Sequence, residues 1–170
     1  FWGKDDFVEK LIEIVGQEST NRYINMAGTP GKKTTLHYAA LKKRRKSVEI
    51  LLELGANVKA RDADDQITPL NEAARAGDVG VFKEFLKHSG AKLLVNDEDL
   101  TQHRGPLHWA CDGKNPKLVE LLIENKVDLN KTAVPFGEAP IHLASKQGDD
   151  STVRLLVAAG ADVNQQPIIN

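Results

Sequence analysis

Thr34-Thr35-Leu36-His37-Tyr38-Ala39-Ala40 decides the fold, because the same phrase returns three times. It reappears as Thr68-Pro69-Leu70-Asn71-Glu72-Ala73-Ala74 and as Gly105-Pro106-Leu107-His108-Trp109-Ala110-Cys111. The last copy is Ala139-Pro140-Ile141-His142-Leu143-Ala144-Ser145. The apolar third residues, Leu36, Leu70, Leu107 and Ile141, stand 34, 37 and 34 residues apart. A period of this size marks stacked repeats, each a small unit that buries its apolar face only against its neighbours.

Two further blocks keep the same period. Val48/Leu51/Leu52, Phe82/Phe85/Leu86, Val119/Leu122/Ile123 and Val153/Leu156/Val157 sit at i, i+3, i+4, the spacing of one face of a short helix. A closing phrase follows: Gly55-Ala56-Asn57-Val58-Lys59 and Gly160-Ala161-Asp162-Val163-Asn164, with weaker forms at Gly90-Ala91 and Asp128-Leu129-Asn130. The first block resembles the ankyrin repeat signature Thr-Pro-Leu-His-x-Ala. The resemblance covers nearly the whole chain and rests on four copies of three blocks. It implies an all-α solenoid with short β-hairpin fingers, an ankyrin stack with one helix-turn-helix and one hairpin per repeat. The hairpins and first helices would line a concave face, and the second helices a convex back.

The expected divisions are a partial N-terminal repeat and extended connection over 1–24, then repeats at 25–58, 59–95, 96–129 and 130–163. The start of a further repeat falls at 164–170. Val8, Leu11 and Ile12 match Val48, Leu51 and Leu52, so the turn and second helix of a repeat are expected over Gly3–Ile12, with Gln17–Asn21 lengthening the connection after it. Neither end resembles a polar cap, so the chain reads as a window from a longer protein.

Local chemistry supports the helix starts. Thr68 suits an N-cap and Pro69 the first turn, where a missing N–H costs nothing. Asp78, Asp149 and Asn115-Pro116 suit the starts of second helices, after turns at Gly77 and Gly148. Gly55, Gly90 and Gly160 are expected to end second helices in the left-handed conformation, and Lys126 takes that place in the third repeat at a cost of about 1 kcal/mol. The long third spacing puts about three extra residues near Lys87–Leu94, expected as a loop extension.

The 170 residues carry a net charge of −1, with 41% hydrophobic and 28% charged residues, as in a soluble globular domain. No apolar run approaches the ~18 residues of a membrane span, and no signal-peptide pattern opens the chain. The one cysteine, Cys111, excludes an internal disulfide framework and fits a reducing compartment, so an intracellular site, cytoplasmic or nuclear, is expected. Cys111 occupies a small-residue place in the signature and reads as a buried hydrophobe.

Catalytic chemistry finds no foothold. Gly28-Thr29-Pro30-Gly31-Lys32-Lys33 lacks phosphate-loop spacing, and there is no Cys-x-x-Cys or His-Glu-x-x-His. His37, His108 and His142 occupy equivalent places in different repeats. Packed helices lie ~8–10 Å apart, too far for ligands that must each reach a shared zinc at ~2.0–2.1 Å. Each histidine is instead expected to bridge its own helix start to the neighbouring hairpin backbone. No enzyme activity, cofactor or metal is expected of this chain.

Charge is unevenly placed. Asp62, Asp64, Asp65 and Asp97, Glu98, Asp99 are expected to form a solvated acidic rim, calcium ligation being the weaker alternative. From Ser19 to Val48 there is no Asp or Glu, while Lys42-Lys43-Arg44-Arg45-Lys46 is continuous. That run reads as a solvated helix–helix turn. A protein or lipid contact and a nucleic-acid patch are alternatives, though no aromatic interleaving supports the last. Val134-Pro135-Phe136, Leu100 and Ile67 are apolar where hairpin tips should face water, as binding anchors do.

The resemblance implies protein–protein recognition, a scaffold role with a protein or peptide partner. Small-molecule, nucleic-acid and membrane partners are not expected, and the chain is expected to be monomeric. The family's usual contact positions fall on Lys33, Tyr38, Leu41, Lys42, Arg61, Asp64, Ile67, Glu72 and Arg75. They continue through Glu98, Arg104, Trp109, Asp112, Phe136, Glu138 and Lys146. Asn130 and Asn164 resemble asparagine-hydroxylation sites of the family, the alternative being that they are simply the repeat consensus. The alternative is a substrate-recruiting or docking domain of a larger enzyme, kinase or channel. Nucleic-acid binding through residues 19–48 is the weaker alternative.

Overall fold

The computed structural model describes residues 24–28 and 31–167, together with residue 13. The helix expected over Gly3–Ile12, the connection at Gln17–Asn21 and the last residues of the 164–170 segment lie outside the described residues. Four helix pairs follow one another: α1 (Thr35–Leu41) with α2 (Arg45–Glu53), α3 (Pro69–Ala76) with α4 (Val79–Lys87), α6 (Pro106–Asp112) with α7 (Pro116–Glu124), and α8 (Pro140–Gln147) with α9 (Asp150–Ala158). A one-turn helix, α5 (Ser89–Lys92), follows α4. Within each pair the helices pack on each other. The first helices stack in order, α1 on α3, α3 on α6 and α6 on α8, while α2 packs on α4 and α7 on α9.

No main helix exceeds nine residues. Isolated helices of this length are marginal in water, so their stability comes from the stack. Leu36, Leu70, Leu107 and Ile141 are all buried, and the alanines and Cys111 behind them let first helices approach closely. Val48, Leu51, Phe82, Phe85, Leu118, Val119, Leu122 and Leu156 bury the inner faces of the second helices. The last residue of each expected triplet fares less uniformly. Leu52 is buried and Leu86 and Ile123 are half-buried, whereas Val157 is exposed because that side of α9 has no described neighbour.

The caps follow the local chemistry. Thr68 Oγ1 accepts from Asn71 N at 3.3 Å, Asp78 Oδ1 from Val81 N at 2.9 Å, and Asn115 Oδ1 from Leu118 N at 3.1 Å. Asp149 Oδ1 accepts from Thr152 N at 3.2 Å. Gly77 and Gly148 turn between helices at φ 74° and 67°, and Lys126 holds the left-handed conformation at φ 61°.

Gly90 departs from expectation. The extra residues of the second repeat coil into α5 instead of forming an open loop, so Gly90 sits inside a helical turn and does not end α4. Chain direction changes two residues earlier, at His88, which is extended at φ −90° and ψ 120°. Ala91 of α5 is buried and Leu94 packs on the core, which anchors the insert, while Leu93 faces solvent.

Candidate partner-binding surface

The fingers are tight turns with almost no ladder. Isolated bridges join Ala27 to Thr34 and Ala133 to Glu138. In the two fingers between them, single backbone bonds run from Asp62 N to Ile67 O and from Asp99 N to Arg104 O. Such short turns need anchoring from the helices, and the signature histidines supply it. His37 Nδ1 accepts from Thr34 N at 3.1 Å while Nε2 reaches Ile67 O at 3.0 Å. His108 takes Gly105 N at 3.1 Å and reaches Lys131 O at 3.0 Å. His142 takes Ala139 N at 2.9 Å and reaches Gln165 O at 2.8 Å. Each ring accepts at Nδ1 from an N–H and faces a carbonyl at Nε2, which requires the neutral tautomer with the proton on Nε2. Burial pushes His108 down to about 4 and lowers His37. In the second repeat Asn71 does this work, donating from Nδ2 to Asp97 O at 3.0 Å.

The acidic rim is largely not a rim. Asp62 and Asp99 are buried and hold the turns from inside. Asp62 Oδ1 accepts from Ile67 N at 3.0 Å and Asp65 N at 3.2 Å. Asp99 accepts from Gln102 N at 2.6 Å, from Thr101 N at 3.0 Å and from Arg104 N at 3.2 Å. Burial pushes the Asp62 carboxyl up, but its hydrogen bond with Lys33 and those from the backbone outweigh this and lower its pKa overall. Asp97 is clamped by both terminal oxygens to Arg61 at 2.9 and 2.8 Å. Glu98 pairs with Lys131 at 2.8 Å and His103 at 3.2 Å. Asp64 remains exposed. Among the described residues no group of three or more His, Cys, Asp or Glu could hold a metal ion.

Two expected contact residues cannot serve. Ile67 is 0% exposed: its side chain turns into the stack and its carbonyl is taken by His37. Glu72 is equally buried, paired with Arg75 at 2.8 Å and Lys33 at 3.6 Å. Tyr38, Lys42, Asp64, Arg75, Phe136 and Lys146 are exposed. Lys33, Leu41, Arg61, Glu98, Arg104, Trp109, Asp112 and Glu138 are half-buried.

Two of these residues, Arg75 and Arg104, meet at Trp109. The Arg104 guanidinium lies 5.0 Å from the ring centroid and that of Arg75 5.9 Å, so two cations from successive repeats flank one indole. Arg104 pairs with Asp112 at 3.3 Å, and Asp112 accepts from Gln147 Nε2 at 2.8 Å. Arg75 also reaches Asp65 at 3.4 Å, and Lys146 reaches Glu138 at 3.4 Å. The face is thus pre-ordered by ion pairs within each repeat and, between repeats, by those of Lys33 with Glu72, Arg61 with Asp97 and Lys131 with Glu98. Burial raises the Cys111 thiol, so it is no nucleophile.

A second cross-repeat device was not foreseen from the sequence. Asn25 Oδ1 accepts from Asn57 N, Asn96 Oδ1 from Asp128 N, and Asn130 Oδ1 from Asp162 N, at 2.7, 2.7 and 2.8 Å. The recurrence of asparagine at Asn96, Asn130 and Asn164 was the available signal. Asn130 and Asn164 themselves are exposed.

Helix pairs, histidine struts and finger turns repeat together through the described residues, and the family comparison agrees. Residues 70–167 match the model for ankyrin repeats in three copies, and residues 32–63 match that for a single ankyrin repeat. The chain belongs to the ankyrin repeat family. It is 31% identical over 94% of its length to the nuclear factor NF-kappa-B p105 subunit of Gallus gallus, covering 16% of that protein. It is 32% identical over 84% of its length to the transient receptor potential channel pyrexia of Drosophila melanogaster, and 33% over 77% to the tyrosine-protein kinase Shark of the same organism. It covers 14% of each. Ankyrin repeats are a general protein–protein interaction module, generally without catalysis of their own. No described helix is long and apolar enough to cross a membrane.

Proposed function

We propose that this ankyrin stack recognises a partner protein or peptide through the face formed by its first helices and fingers. The observation that carries the reading is where apolar surface is left uncovered. Of the eight large hydrophobic residues exposed among the described residues, Tyr38 is on α1, and Met26, Leu100, Val134 and Phe136 lie on or beside the fingers. Phe136 alone is 61% exposed. Apolar anchors within a polar, ion-paired surround are the composition of binding hot spots. Because cross-repeat bonds already hold the face, a partner meets a surface with little left to order, which favours affinity.

Affinity capture with the wild-type chain and with a Tyr38→Ser/Phe136→Ser variant tests this. Both positions are exposed, so the variant should keep its unfolding midpoint and lose the captured partner. A partner retained undiminished would refute the face as the binding site. Hydroxylation of Asn130 and Asn164 belongs to the same reading of exposed repeat loops, and an unmodified intact mass in the protein's own host would remove it.

A second reading is favoured by coverage. The three relatives named above are several times longer than this chain and include a channel and a kinase by name. In that reading the stack recruits or docks for chemistry elsewhere in a longer protein, inside the cell. Partner capture by the chain alone and by the full-length protein separates the two.

A further inference from the structure

The turn between α1 and α2 breaks three local rules, and each break adds positive charge. Lys43 holds φ 59° where Gly77 and Gly148 serve in the second and fourth repeats, a conformation that disfavours a side chain. Lys114 does the same in the third repeat at φ 50°. Arg44 is the N-cap of α2 and makes no side-chain cap bond, whereas Asp78, Asn115 and Asp149 cap the other three second helices. Arg45 and Lys46 then open α2, at the end of the helix dipole that favours anions. Rules broken together, at a cost in stability, mark a site kept for another purpose.

All five residues from Lys42 to Lys46 are exposed. Arg45 is held by Glu84 at 2.6 Å and Lys46 touches Glu49 at 3.5 Å. Lys42, Lys43 and Arg44 pair with no carboxylate among the described residues. We propose that these three form a docking site for a short acidic segment of a partner protein. The turn lies at the opposite end of the helices from the fingers, so Lys42, the C-cap of α1, belongs here and not with the concave contact set, and this site is separate from the face proposed above.

Charge along the same edge selects the occupant. The corresponding turns of the second and fourth repeats present Asp78 and then Asp149 and Asp150. The third turn carries Lys114 and Lys117, so Asp78 separates the positive turn of the first repeat from the next cations along the described edge. A nucleic-acid duplex or an anionic bilayer extending along the edge would meet those carboxylates, and no aromatic residue among 42–46 offers a base a stacking platform. A few carboxylates on a short peptide fit three cations that have no carboxylate partner among the described residues, with attraction that weakens as salt rises.

The test is fluorescence anisotropy with a labelled ten-residue peptide of alternating Glu and Asp, at low ionic strength and at about 0.15 M salt. Wild type should bind, more weakly at the higher salt. K42Q/K43Q/R44Q should lower affinity by about tenfold or more. K43G/R44D restores the turn glycine and the cap, so it should abolish binding while raising Tm by about 3 °C. Y38S/F136S should leave peptide affinity unchanged. Absence of wild-type binding, equal affinity in K42Q/K43Q/R44Q, or tighter binding to duplex DNA or phosphatidylserine vesicles than to the peptide would each overturn the proposal.

Discussion

Acid should destabilise this stack through His108, and the size of the effect follows from its burial. The ring is neutral, accepts at Nδ1 from Gly105 N and faces Lys131 O at Nε2. Protonating Nδ1 removes that acceptor in a site where His108 is 2% exposed, and burial lowers its pKa from 6.5 to about 4. A histidine whose folded pKa is depressed contributes stability that is present above the unfolded pKa. That stability is lost as pH falls from 6.5 toward 4. One pKa unit is worth about 1.4 kcal/mol, so the full shift amounts to about 3 kcal/mol, of which about 2 kcal/mol is lost between pH 7 and pH 5. The perturbation is His108→Asn, because Asn71 already makes the corresponding finger bond in the second repeat. The variant should be less stable at pH 7 by about 1–3 kcal/mol, since Gly105 N loses its acceptor. Urea unfolding at pH 7, 6 and 5 reads the slopes. Wild type should lose about 2 kcal/mol more than the variant across that range. Parallel losses would refute the assignment of His108 as a buried neutral strut.

Two further outcomes follow from the backbone. Lys126→Gly should stabilise the chain by about 1 kcal/mol in urea unfolding, because Lys126 holds φ 61° without any described side-chain partner. Asp99→Ala strips acceptors from the Thr101, Gln102 and Arg104 N–H groups and should cost about 2–3 kcal/mol by the same measurement, although the residue lies in a finger that reads as surface.

The repeat architecture was legible because its signals are local and periodic. Leu36, Leu70, Leu107 and Ile141 are buried by the same geometry each time, and the histidine struts join a helix start to the next finger in each of the three repeats that carry histidine. Gly90 was misread because its sequence context matches Gly55 and Gly160. Whether three inserted residues loop out or coil depends on what Ala91 and Leu94 can bury, which is a tertiary question. Ile67, Asp62 and Asp99 were misplaced for a related reason. In a tight turn, apolar and acidic residues face water or the stack according to which N–H groups need acceptors.

The sequence by itself determined the repeat, its period and most caps of the second helices, since each depends on residues close together in one repeat or on their recurrence in the next. Only the tertiary structure decided which charges are spent. Arg61 on Asp97, Arg75 and Arg104 on Trp109, and Lys33 on Asp62 and Glu72 are contacts between repeats 29 to 39 residues apart or within one folded face. Stacking brings those groups together. What it leaves exposed among the described residues, Tyr38 and Phe136 on one side and Lys42, Lys43 and Arg44 on the other, is where partner binding is proposed.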